Sequence, residues 1–150
     1  MTKPRRWIFT IDGPPKSKER PRGVKATGHH HTATSTRQYE RRVAGAAMEA
    51  GLEIGDGQCD VSIRVWVRPS AKSASEPRRR AKIKKDLDNI AKVILDGLLK
   101  AGRGALADDN VDHVRSVLCV RAGWSGRERV EIKIVEVLDD AQEMEVEHEC

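Results

Sequence analysis

The segment KIKKDLDNIAKVILDGLLKAG, residues 82–102, constrains the fold more than any other part of the chain. Its apolar residues are Leu87, Ile90, Ala91, Ile94, Leu98 and Ala101. They recur at i, i+3, i+4 and i+7 spacing, which places them on one side of an α-helix. Gly102 follows the last of them, and glycine commonly ends a helix. The segment therefore predicts an amphipathic helix that must pack its apolar face against another layer.

The rest of the chain predicts four strands and one further helix. Alternating apolar residues predict strands in RRWIFTID (5–12), CDVSIRVWVRP (59–69), DHVRSVLCVRAG (112–123) and ERVEIKIVEV (128–137). The short link GWSGR between the last two suggests a hairpin. A helix is predicted from Ser35, which stands at capping-box spacing from Gln38, to the stop at Gly51.

The predicted order is β-α-β-α-β-β, which favours an α+β fold with a mixed sheet of about four strands and two helices on one face. At 150 residues the chain has the length of a single domain. We assign residues 1–137 to that domain. Residues 138–150 are acidic and have little apolar periodicity, so we expect a disordered tail.

Charge is distributed in blocks along the chain. The formal net charge is +5, but residues 1–42 carry a net +8, residues 68–103 a net +7 and residues 136–150 a net −7. Basic blocks favour a polyanionic partner, most often nucleic acid, although a merely solvated face is an equally open alternative. The candidate DNA-binding residues, in the loops 13–36 and 70–85, are Lys16, Lys18, Arg20, Arg22, Lys25, Arg78, Arg79, Arg80, Lys84 and Lys85.

Several other classes of protein fit the sequence poorly. No apolar run is long enough to span a bilayer, so we expect no membrane partner. Three widely spaced cysteines favour free thiols in a reducing cytoplasm. The consecutive His29–His31 have no further ligand spaced to complete a zinc site. Five scattered aromatic residues are too few for a base-stacking platform.

Two pairs of carboxylates flank the helix of residues 82–102. Asp86 and Asp88 lie at its start, where a helix cap explains one carboxylate but not two neighbouring ones that repel each other. A hard divalent cation such as Mg²⁺ relieves that repulsion. Asp108 and Asp109 follow the helix and are candidate ligands of the same ion. Lys92 lies four residues after Asp88, either as a surface ion pair or as a cation for a reacting phosphate.

Other chemistries built on an Asp-x-Asp pair agree less well with the sequence. A calcium EF-hand loop begun at Asp86 needs Gly and Glu at its sixth and twelfth positions, where this chain has Ala91 and Gly97. An aspartate that forms an acyl phosphate normally ends an apolar strand, whereas KIKK precedes this pair. The two carboxylate pairs, the intervening helix and the preceding basic run together form a stronger signal than the Asp-x-Asp pair alone.

The same residues resemble a known family. KKDLDNIAKVILDGLLKAG followed by ADDNVDHVRSV is similar to the central signature of the RusA family of Holliday junction resolvases. The upstream IDGPPKSKERPR and TATSTRQYERRV resemble that family's opening strand, basic loop and first helix. By position, the resemblance implies that Asp86, Asp88 and Asp109 are the catalytic aspartates and Lys92 the catalytic lysine.

The resemblance also implies an activity. It predicts a cytoplasmic α+β homodimer, from a bacterium or a phage-infected cell, that hydrolyses phosphodiesters with Mg²⁺, or with Mn²⁺ in its place. The implied substrate is four-way DNA, cut by paired symmetric nicks during recombination and repair. Two alternatives remain open: a broader endonuclease for flaps and forks, and a non-catalytic DNA-binding protein whose aspartates only cap a helix.

Overall fold

The computed structural model describes residues 3–17, 22–23, 30–31, 34–68 and 87–138. The elements within those ranges are β1 (Arg6–Asp12), β2 (Arg22–Gly23), β3 (His30–His31), α1 (Thr34–Glu49), β4 (Gln58–Val67), α2 (Leu87–Lys100), β5 (Val114–Trp124) and β6 (Arg129–Val137). None of the helices in these ranges combines the length and the apolar character that a membrane crossing requires.

Four strands form one mixed sheet in the order β1-β6-β4-β5. Strands β4 and β5 are parallel, whereas β6 is antiparallel to both of its neighbours, β1 and β4. Both helices pack on this sheet and share its hydrophobic core. The predicted α+β fold, with a four-stranded mixed sheet and two helices, is therefore confirmed.

Alternating side chains of the central strands build the core. Val61, Ile63 and Val65 of β4 are each at most 1% exposed, and they pair across the sheet with Ile134, Ile132 and Val130 of β6, which are equally buried. The intervening residues of β4 are half-buried or exposed, since they point away from the helices. The period-two pattern in the sequence thus selects the sheet face that the helices cover.

The two helices cross closely at Gly97 of α2. A Cβ atom built there would lie 2.6 Å from the Cβ of Val43 and 2.9 Å from the carbonyl oxygen of Glu40, both in α1. Glu40 is itself buried, and its carboxylate forms an ion pair with Lys100 at 2.6 Å. The predicted helix ends are confirmed, since Gly51 and Gly102 have φ values of 74° and 106°.

Helix α2 belongs to a crossover between parallel strands. The chain leaves β4 at its carboxyl end and enters β5 beside the start of β4, where the backbone N–H of Cys59 bonds the carbonyl of His113. The turn after α2 is bonded to residues just before β4, through Ile54 to Ala105 and Gly55 to Gly104. Helix α2 therefore runs back from the carboxyl end of β4 to its amino end.

The predicted hairpin between the last two strands is wrong. Although only four residues separate β5 from β6, strand β4 lies between them in the sheet. The link crosses the end of β4, where the N–H of Ser125 donates to the carbonyl of Val67 and the Arg68 guanidinium donates to the carbonyl of Gly126. These bonds satisfy the end of β4 and allow the short link to pass over it.

Two local predictions also need correction. Helix α1 already includes Thr34, so Ser35 lies inside the helix and not at its cap. The segment 13–36 is not wholly a loop, because β2 and β3 form a two-stranded antiparallel ladder within it. Propensity patterns locate the ends of elements only to within one or two residues, and a ladder of two residues per strand leaves no periodicity to detect.

Candidate active site

The exposed side of α2 carries the first group of predicted site residues. Asp88 lies in the first turn of the helix, where the unpaired backbone N–H groups and the helix dipole favour a negative charge. Lys92 lies one turn further along the same side, and both side chains are exposed. The residues of α2 that face the core, such as Ile90 and Ile94, are fully buried. The arrangement leaves a carboxylate and an ammonium group facing solvent at one end of α2.

Several predicted site residues fall outside the described ranges. They are Asp86, Lys18, Arg20, Lys25, Arg78, Arg79, Arg80, Lys84 and Lys85, together with the acidic segment from residue 139 onward. Of the remaining candidates in the first basic loop, Lys16 is half-buried, and Arg22 is described only as part of the backbone ladder of β2. The DNA-binding assignment of both basic loops therefore stays a prediction.

The second pair of carboxylates lies in a turn that precedes β5. The carboxylate of Asp108 accepts hydrogen bonds from the backbone N–H of Asp109 at 2.7 Å and from the side-chain amide of Asn110 at 3.1 Å. Asn110 in turn accepts the backbone N–H of Asp112 at 3.0 Å and lies 2.9 Å from the imidazole Nδ1 of His113. Asp108 and Asn110 thus fix the turn by local side-chain bonds.

Asp109 differs from its neighbour. Its backbone N–H serves the turn, but within the described ranges its carboxylate oxygens receive neither a hydrogen bond nor an ion pair, and the side chain is exposed. Both oxygens of Asp108 are already engaged. Of the two carboxylates, Asp109 is therefore the one whose lone pairs are available to an external cation or donor.

Helix α2 separates the two groups of carboxylates. A helix rises about 1.5 Å per residue, so roughly 18 Å of helix lie between Asp88 and Lys100. The turn that follows Lys100 is held beside Gly55, and the Gln58 side chain holds the carbonyl of Val111 at the start of β4. The described residues consequently place Asp88 at one end of α2 and Asp109 beyond the other.

The donor set is chemically suited to a hard cation. Carboxylate oxygens are the protein ligands that Mg²⁺ and Mn²⁺ prefer, and the exposed aspartates described above supply them. Within the described ranges, no three His, Cys, Asp or Glu side chains of a single chain converge on a metal position. Asp86 lies outside those ranges, and Asp109 lies beyond the far end of α2 from Asp88.

The thiols do not contribute reactive groups to this region. Burial raises the pKa of the Cys59 thiol to about 11, with a further contribution from the nearby Asp60 carboxylate. Burial likewise raises the pKa of the Cys119 thiol to about 11. Both groups are free thiols, as predicted, and both are protonated near neutral pH.

Sequence reasoning missed a cluster of arginine and tryptophan side chains at the carboxyl end of β4. The guanidinium carbons of Arg64 and Arg129 lie 5.5 and 4.1 Å from the ring centroid of Trp66. Arg121 lies 4.4 Å from the ring centroid of Trp124 on the neighbouring strand. Arg129 is distant from Trp66 in the sequence, and only the pairing of β4 with β6 brings the two side chains together.

Comparison with protein families agrees with the geometry. The family described as endodeoxyribonuclease RusA matches residues 12–135, which include the described helices and strands except β1, of which only Asp12 is covered, and the last two residues of β6. The chain belongs to the RusA endodeoxyribonuclease family. No curated protein sequence matches this chain.

Proposed function

We propose that the protein is a Mg²⁺-dependent endonuclease that resolves four-way DNA junctions as a homodimer. The observation that carries the proposal is the family match over residues 12–135 combined with the exposed Asp88 and Lys92 at the start of α2. A structural cap accounts for Asp88, but it accounts neither for Lys92 beside it nor for the available carboxylate of Asp109.

The chain's own residues have separate tasks in this proposal. Asp86, Asp88 and Asp109 hold Mg²⁺, which when bound supplies charge neutralisation at the phosphate and a more acidic water ligand. Lys92, one turn from Asp88, binds a non-bridging oxygen of the scissile phosphate and offsets the charge that develops on it. Asp108 positions Asp109 by bonding its backbone N–H.

The homodimer completes the ligand set as well as matching the two-fold symmetry of a junction. Because α2 separates Asp88 from Asp109 within a protomer, we place Asp109 of one copy against the α2 start of the other. A two-fold axis then generates two equivalent sites. Val117 and Leu118 on the edge strand β5 are 41% and 58% exposed, and they offer apolar surface for such a contact.

The first test is cleavage of labelled four-way junction, flap and duplex DNA in Mg²⁺ or EDTA. Paired symmetric nicks on the junction alone support the proposal. Preferential cutting of flaps or forks replaces it with the broader endonuclease. Binding without metal-dependent cutting of any substrate leaves the non-catalytic DNA-binding protein.

The second test mixes two inactive variants, Asp88→Asn and Asp109→Asn, after subunit exchange. If each site combines the two residues from different copies, every mixed dimer has one intact site. Mixed dimers are about half of the population, so nicking recovers to roughly a quarter of the wild-type level, as single nicks. If both residues act within one copy, mixed dimers carry two damaged sites and nicking stays at the level of the variants alone.

A further inference from the structure

Among the described residues, both helices lie on one face of the sheet, and the opposite face is basic and partly to fully exposed. In register, its rows are Arg6–Val135–Asp60–Ser116, Ile8–Lys133–Ser62–Leu118, Thr10–Glu131–Arg64–Val120 and Asp12–Arg129–Trp66–Gly123. The last two rows end at the carboxyl end of β4, and alternation places Arg68 just beyond them on the same face. Cations are concentrated at that end of the face.

Trp66 organises two of these cations. The guanidinium groups of Arg64 and Arg129 both lie within cation–π range of its ring. The residue beside Trp66 on β5 is Gly123, where even a Cβ atom would lie 3.7 Å from the indole Cδ1 and Nε1 atoms. The indole thus lies beside Gly123, and its contacts with both guanidinium groups restrict where the two arginines can point, which lowers the entropy lost when they bind a ligand.

These arginines differ from others in the structure. Arg115 pairs with Asp60 at 2.7 Å and Arg127 pairs with Asp12 at 2.7 Å, so their charges are already compensated. Within the described ranges, Arg64, Arg68 and Arg129 form no ion pair within 4 Å of a carboxylate. Glu131 lies opposite Arg64 in the register, yet that pair too is longer than 4 Å.

The position of the cluster relates it to the start of α2. Strand β4 ends at Val67, and α2 begins again at Leu87 and runs back along the sheet. The cluster and Asp88 consequently flank the same end of the sheet, on the open side and the helix side respectively. DNA that lies across this end of the sheet would therefore meet both the cluster and Asp88.

We propose that Arg64, Arg68 and Arg129, arranged around Trp66, form a second phosphate-binding surface that holds one duplex arm of the DNA substrate. Charge selects the occupant, since uncompensated guanidinium groups on a fixed scaffold match the spaced anions of a phosphate backbone. The proposal deepens the junction-cutting function and rests on it for the identity of the DNA. The surface itself is distinct from the basic loops and from the carboxylates.

The test compares two triple variants with the same change in charge. The first is Arg64→Ser, Arg68→Ser and Arg129→Ser. The matched control is Lys3→Ser, Arg41→Ser and Arg103→Ser, since these cations are exposed and lie outside the rows of that sheet face. Binding to a labelled four-way junction and to a duplex is measured in EDTA over a range of salt concentrations, so the readout does not depend on cutting.

The expected result is a loss confined to the first triple variant. Its affinity for both DNAs falls on the order of thirtyfold to a hundredfold relative to the control, and the dependence of log K on log salt flattens by roughly two to three. Equal affinities and equal salt slopes for the two triple variants overturn the proposal. The proposal is also overturned if the first variant has a lower oligomeric mass but binds DNA with unchanged affinity. The surface would then be a contact between copies of the chain.

Two further measurements separate this proposal from folding and from the proposed function. The single variant Arg68→Ser, at the exposed end of β4, replaces the triple variant if that one does not fold, and it should lose about one unit of salt slope. Trp66→Leu keeps all three charges and should lose severalfold in affinity, because the guanidinium groups are no longer held. A wild-type protein that binds duplex through this surface but cuts no junction upholds the surface and refutes the nuclease.

Discussion

The layer between the helices and the sheet differs from the surfaces that face outward, although the same elements supply both. Inside that layer, apolar residues such as Ile63, Ile94 and Ile132 are fully buried and contribute stability. Outside it, the same strands and helix present Trp66, Asp88 and Lys92. The residues that contribute stability and the candidate functional residues thus lie on opposite sides of the same elements.

Helix α2 shows the separation most clearly. Its inner side carries Gly97, which allows α1 to approach, and the buried Ile90 and Leu98. Its outer side carries Asp88 and Lys92, which do not belong to the hydrophobic core. Substitutions on the outer side should therefore change DNA cleavage, whereas substitutions on the inner side should change the free energy of unfolding.

Asp88→Asn should lower metal-dependent cleavage on the order of a hundredfold or more, because one charged metal ligand is lost. Asparagine caps a helix as well as aspartate, so the free energy of unfolding should change little. Junction binding in EDTA should be unchanged or tighter, since an anion near phosphate is removed. The measurements are single-turnover cleavage and thermal unfolding, with Asp56→Asn, an exposed turn residue, as the control. Cleavage at the wild-type rate would return Asp88 to the role of a cap.

Asp108 and Asp109 should respond differently although they are neighbours. Asp109→Asn should reduce cleavage nearly as much as Asp88→Asn, with little effect on stability. Asp108→Asn keeps an oxygen that can accept the N–H of Asp109, so its cleavage should stay within about tenfold of wild type. Asp108→Ala should cost about 1 kcal/mol of stability through loss of the turn bonds. A stronger cleavage defect for Asp108→Asn than for Asp109→Asn would exchange the two roles.

Gly97→Ala should destabilise the protein by about 2–3 kcal/mol, because the added methyl group overlaps Val43 and the Glu40 carbonyl. The higher helix propensity of alanine, worth about 1 kcal/mol, does not offset that overlap. Gly45→Ala in α1 is the matched control, since a Cβ atom there meets nothing within 4 Å and should stabilise the helix. Chemical denaturation measures the free energy of unfolding of both variants. Equal values would mean that the helices can move apart at Gly97 without loss of stability.

The smallest expected effect is a pH dependence at the outward face. The hydrogen-bonded Arg115 guanidinium, with a bond from Ser116, holds the pKa of Asp60 below its ordinary value. The stabilisation is thus present above the unfolded pKa of about 3.9 and is lost as pH falls through the folded value. Because both side chains are partly exposed, the contribution should stay under about 1 kcal/mol.

That contribution can be measured by comparing Asp60→Asn with the wild-type protein. The variant should be slightly less stable at pH 7, and the difference should shrink below about pH 4. A difference that is constant over this range would show that Asp60 contributes through its hydrogen bonds alone and that its charge is unimportant.

Local sequence patterns were sufficient to predict the main helices and strands of this protein and their buried sides. Alternation in residues 59–67 predicts the buried side of β4, and helical spacing from Leu87 to Leu98 predicts the buried side of α2. Both predictions succeed because apolar residues that recur at the period of a strand or helix all lie on one side of it. The carboxylates at the start of α2 and before β5 were identified as candidates by the same means, since paired charges without apolar periodicity have few structural explanations, and their role stays a prediction.

The strand order of the folded protein, in contrast, determines which residues distant in the sequence are neighbours. The four-residue link after β5 is compatible with a hairpin or with a step over β4, and the bonds of Ser125 and Arg68 to their partners select the latter. That step places Arg129 beside Trp66, and no local pattern encodes such a pairing. The crossover likewise puts Asp88 and Asp109 at opposite ends of α2. Strand order is set by long-range hydrogen bonding and packing, which the local repeat of a sequence does not contain.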